Sequence, residues 1–65
     1  MKKDDTSIQQ AQIIKEIMTE ITNEGLKVSY IEISKRTGIE LLAVRNRIND
    51  PNFSELRKMY DDLKN

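Results

Sequence analysis

From Ile14 to Ile21 the apolar residues Ile14, Ile17, Met18 and Ile21 recur every three or four positions, with Ala11 and Ile13 beside them. Lys15, Glu16, Glu20 and Asn23 form the polar complement, the pattern of an amphipathic helix with one face turned to a core. Ser7 with Gln10 offers a capping box at its start. Gly25 is a stop signal, with Leu26 placed for the apolar contact that accompanies a glycine cap. The spacing predicts a helix over 7–24. A second pattern opens at Val28. Ser29 with Glu32 makes another capping box, Ile33 points inward and Gly38 ends the segment, which predicts a helix over 30–37. Ile39, Val44 and Ile48 follow, and a third helix is expected over 40–49 with Glu40 as its N-cap. Asp50-Pro51 is a strong helix start. Phe53, Leu56, Tyr60 and Leu63 then predict a fourth helix over 51–63. β-branched residues are frequent but follow the helix period, so no strand is expected.

These elements describe an all-α fold, a small four-helix domain over 6–65 after a charged, mobile N-terminus at 1–5. Two short helices hinged at a glycine are the arrangement of a helix-turn-helix. Ser34 is small where the helices must cross closely, and Ile33, Ser34, Gly38, Ile39 and Val44 carry the constraints of that motif. An ordinary αα-hairpin has the same outline and is the plainer alternative.

Composition narrows the function. The chain has 65 residues, near the lower limit for folding without a staple. It has no cysteine and no histidine, which removes disulfides, thiolate metal sites and the commonest general base. Asp4–Asp5 and Asp61–Asp62 are adjacent carboxylate pairs at terminal or solvent positions, and no Gly-rich phosphate loop or nucleophile–base pair occurs. An enzyme is not expected, nor is a cofactor or metal. No apolar run reaches membrane length and Met1-Lys2-Lys3 leads into Asp4-Asp5, so a soluble, cytoplasmic chain is expected.

Eleven basic residues balance eleven acidic ones, but unevenly. Residues 26–48 hold Lys27, Lys35, Arg36, Arg45 and Arg47 against Glu32 and Glu40, while the segments on either side are net acidic. A basic middle with acidic flanks modestly favours a nucleic-acid partner.

The residues Gly25, Val28, Ser29, Tyr30, Ile33, Ser34, Lys35, Thr37, Gly38 and Ile39, followed by Pro51 and Glu55-Leu56-Arg57, resemble a known pattern. The helix-turn-helix is similar to that of TetR-type repressors. A nearer resemblance is to the small TnpC-type accessory proteins encoded beside site-specific recombinases of transposons and other mobile elements, over roughly residues 12–63. The resemblance implies a DNA-binding regulator or recombination accessory factor of a mobile element or phage. The chain departs from the pattern at Glu40-Leu41-Leu42, where a reader helix usually opens with serine or threonine.

Candidate roles follow from the chemistry of base edges and phosphates. Arg45 and Asn46 suit bidentate contacts with guanine and adenine, and Leu41 suits a thymine methyl. Lys27, Ser29, Tyr30, Lys35, Arg36 and Arg47 are candidate contacts to the DNA backbone, although the Tyr30 ring is expected in the core. One such module covers little double-stranded DNA, so a homodimer is expected, through Phe53, Leu56, Tyr60 and Leu63 or through the Ile8–Ile21 helix. The alternative is a protein-interaction module, an antirepressor or inhibitor, in which Leu41 and Leu42 meet a protein partner. Leu41 is the one of the two expected to face away from the core.

Overall fold

A computed structural model of the chain describes residues 5–64; the segment 1–4, part of the N-terminus expected to be mobile, lies outside them. The elements in order are α1 (Asp5–Asn23), α2 (Tyr30–Thr37), α3 (Leu41–Ile48), a single 3-10 turn (Pro51–Phe53) and α4 (Ser54–Lys64). The described residues form an all-α fold with no strand.

Each boundary has a local cause. Helix α1 already includes Asp5, so Ser7 sits inside the helix and the expected Ser7–Gln10 capping box does not form. Its end is closed by Gly25 at φ 81°. The Gly25 N–H donates to the Thr22 carbonyl at 2.9 Å and the Leu26 N–H to the Ile21 carbonyl at 3.1 Å, the paired bonds of a Schellman cap. Helix α2 begins where the Ser29 hydroxyl accepts from the Glu32 N–H at 3.1 Å. Only half of the expected box is made, because the Glu32 carboxylate turns away to Arg36.

Gly38, at φ 78°, ends α2 and donates its N–H to the Ser34 carbonyl. Two hydroxyls fix the turn beyond it. Ser34 Oγ donates to the Ile39 carbonyl at 2.6 Å. Thr37 Oγ1 donates to the Ile33 carbonyl at 2.7 Å and accepts from the Ile39 N–H at 3.1 Å. Ser34 is therefore a bonding residue as well as a small one. The expected N-cap of α3 is absent: Glu40 makes no side-chain cap bond and the helix starts at Leu41. Asp50 caps as expected, accepting from the Asn52 N–H at 2.9 Å, but the chain makes a 3-10 turn before α4 begins.

All four helices share one core. Ile14, Met18 and Ile21 of α1, Ile33 of α2, and Val44 and Ile48 of α3 are fully buried, joined by Ala11, Val28, Leu56 and Tyr60. Burying each large aliphatic side chain is worth about 1.5–3 kcal/mol. The Tyr30 and Tyr60 rings stack with centroids 4.8 Å apart, which seals α4 against the start of α2. The α4 stripe consequently closes the core. Leu56 and Tyr60 are buried and Phe53 and Leu63 are packed against them, so this stripe is not an open dimer interface as it stands. No helix among the described residues is long and apolar enough to cross a membrane.

Candidate nucleic-acid interface

Helix α3 packs through Val44 and Ile48, and that register decides what it displays. Leu41, Leu42, Arg45 and Asn46 are exposed along its outer side, and Asn49 continues that side just past its end. None of the five is acidic. Ile31 and Lys35, one turn apart on α2, are exposed as well. Tyr30, Ile31, Leu41, Leu42, Arg45 and Asn49 together line one open groove between α2 and α3. Both leucines face outward, Leu42 at 61% exposure and Leu41 at 46%, which corrects the expectation that Leu41 alone does so. Ile31 is exposed to 62%.

Of the three residues expected at base edges, Leu41, Arg45 and Asn46 thus share a surface. The six expected at the DNA backbone divide. Lys27 and Lys35 are exposed, and neither they nor Arg45 make an ion pair among the described residues. Ser29 is half-buried, with its oxygen engaged at the α2 cap. Tyr30 is half-buried by the stack on Tyr60, and its hydroxyl accepts from Asn49 Nδ2 at 3.3 Å.

Arg36 and Arg47 already have partners within the molecule. Arg36 donates through Nη2 and Nη1 to the two Glu24 carboxylate oxygens at 2.7 and 2.9 Å, and through Nε to Glu32 at 2.8 Å. Hydrogen bonding to Glu24 and then to Glu32 raises its pKa further above the usual guanidinium value. The same bonds hold the Glu24 carboxyl below its ordinary range. Its charge is satisfied within the molecule, where it ties α2 to the end of α1. Arg47 is one-fifth exposed. Its Nη1 donates to Ser7 Oγ at 2.7 Å and lies 3.6 Å from Asp50, fastening α3 to α1. Both guanidiniums are engaged within the molecule.

These two arginines also determine the charge of the surface. They neutralise Glu32 and Asp50, the carboxylates nearest the groove on α2 and after α3, and leave Lys27, Lys35 and Arg45 opposed in this region only by exposed Glu40. Behind the groove, Arg57 of α4 donates to Asn49 Oδ1 at 2.8 Å, while Asn49 Nδ2 reaches the Arg45 carbonyl at 2.9 Å and the Tyr30 hydroxyl. This chain of bonds fixes the end of α3 relative to α2 and α4. The sequence reading missed it, and missed Ile31. For Ile31 a signal existed, since it lies two residues before the inward Ile33 and so on the opposite side of the helix.

No protein-family model, no curated protein and no solved structure matches the chain.

Proposed function

We propose that the chain binds double-stranded DNA, with α2 and α3 acting as a helix-turn-helix and α3 as the reader in the major groove. The observation that carries this reading is the acid-free outer side of α3, on which Arg45 and Asn46 stand together. Lys27 and Lys35 flank it as phosphate contacts, and Arg45 and Asn46 have the donor geometry for guanine and adenine edges. Nothing in the core or in the ion-pair network uses Arg45, Asn46 or Lys35, so they are available to a ligand. A role as a transcriptional regulator or recombination accessory factor of a mobile element rests on the sequence resemblance alone.

The test is fluorescence anisotropy of the purified chain with duplex DNA over a range of salt. Two phosphate contacts per copy, Lys27 and Lys35, give a slope of about −1.8 in log affinity against log salt, roughly a twelvefold loss between about 50 and 200 mM. Arg45→Ala lowers affinity by about 1–3 kcal/mol and relaxes sequence preference, whereas Lys35→Ala weakens binding evenly and flattens the slope. Salt-insensitive binding, or none, rejects the reading.

One observation favours a second reading. Ile31, Leu41 and Leu42 present a contiguous apolar surface, which suits a protein partner and would make the chain an antirepressor or inhibitor. Association with such a partner responds little to salt.

A further inference from the structure

We propose that the apolar face of the α2–α3 groove is a thymine-methyl reader, in which Leu41 and Leu42, bordered by Ile31, set the sequence preference of the DNA-binding chain. The inference rests on the DNA-binding reading and gives that surface its specificity. Three large aliphatic side chains stand in water here, at 46–62% exposure, although the core is complete without them. Leu41 and Leu42 occupy the first turn of α3, and Ile31 the first turn of α2 across the groove. Arg45 lines the same groove one turn further along α3.

The surroundings select the occupant. No carboxylate lines the groove, and the nearest ones on α2 and after α3 are held by Arg36 and Arg47. The rim carries Lys35, Arg45 and Asn46, with Lys27 near the start of α2. The ligand that fits is apolar at its centre, negative at its edges, and rich in hydrogen-bond acceptors one helical turn away from the apolar spot. A B-form major groove has that profile. The 5-methyl group of thymine is its apolar feature, phosphates run along both edges, and the guanine N7 and O6 of a neighbouring pair accept from an arginine. Glu40, just before the leucines, is the one negative group at this edge and disfavours phosphate directly beneath the start of α3.

The experiment begins with enrichment of a random-sequence duplex pool on the full chain. The enriched site is then remade with deoxyuridine in place of thymine, one position at a time; this deletes a methyl group and leaves every hydrogen bond intact. One or two thymines are expected at which the exchange weakens binding, by roughly fourfold for each buried methyl. The Leu41→Ala/Leu42→Ala variant should bind thymine and deoxyuridine sites equally. Both side chains are exposed, so circular dichroism of that variant should match the parent. Salt-sensitive binding with no deoxyuridine effect, or an enriched site without thymine, overturns the methyl reader and leaves DNA binding standing. Failure to enrich any duplex overturns both and leaves the apolar face to a protein partner.

Discussion

Arg47 distinguishes a structural tie from a phosphate contact, and its replacement by methionine measures which it is. Methionine keeps most of the aliphatic stem that packs between α3 and α1 but deletes the guanidinium. The loss includes the charge-assisted bond to Ser7 at 2.7 Å, worth about 1.5–3 kcal/mol. It also includes the partly exposed pair with Asp50 at 3.6 Å, worth less than about 1 kcal/mol. Against this stands the Arg47 Nε–H, which is buried without a partner. Removing such an orphan returns about 1–3 kcal/mol. The balance is a destabilisation of about 1 kcal/mol, which in so short a chain lowers the melting temperature by roughly 7 °C. Thermal denaturation of Arg47→Met, Ser7→Ala and the double variant reads the coupling directly. The double variant should lose clearly less than the sum of the two single ones, because they share one bond. An unchanged melting temperature for Arg47→Met together with weakened, less salt-sensitive DNA binding would refute the tie and return Arg47 to the DNA surface.

Three further outcomes follow from the same packing. Gly38→Ala places an L side chain at φ 78° in open space, so only the backbone conformation is penalised; chemical denaturation should show a loss of about 1–2 kcal/mol. Ile33 is fully buried between the helices, so Ile33→Ala should cost about 2–5 kcal/mol and leave little of the fold at room temperature. Ile33→Val should cost about 0.5–1.5 kcal/mol and remain folded by circular dichroism. The Glu24 carboxyl is held below its ordinary value of 4.5, first by hydrogen bonding to Arg36. A depressed carboxyl contributes stability above its unfolded-state pKa and loses it as pH falls through the folded-state value. The melting-temperature gap between the parent and Arg36→Gln should therefore be widest near neutral pH and narrow through the acid carboxylate range. A gap constant with pH would mean that Arg36 acts through packing alone.

What the sequence made legible was local or periodic. The Ser29 cap, the Gly25 and Gly38 stops and the Asp50 cap each depend on residues a few positions apart, and all four were read in advance. The inward faces of α1, α3 and α4 followed from the helix period. The errors have two physical sources. One is sequence distance: Arg36 meets Glu24 across 12 positions and Arg47 meets Ser7 across 40, pairings that no window of helical pattern contains, although their second partners, Glu32 and Asp50, stand at helical spacing. A basic residue near α3 therefore looked available although it is engaged within the molecule. The other is the exact phase of a short helix. With Val44 and Ile48 inward, the helix period puts Leu42 on the opposite side of α3 and Leu41 on its flank, so both leucines are left outside. The Tyr30–Tyr60 stack explains why the Phe53–Leu63 stripe closes the fold, and its partners lie 30 positions apart.

The most direct test of the DNA-binding account is the amide spectrum of the isotope-labelled full chain, recorded as an enriched duplex is titrated in. Shifts concentrated at Ile31, Lys35, Leu41, Leu42, Arg45 and Asn46, with the α1 and α4 outer faces unmoved, are the predicted result. Shifts centred on α1 or α4, or a spectrum unchanged by DNA at low salt, would contradict it.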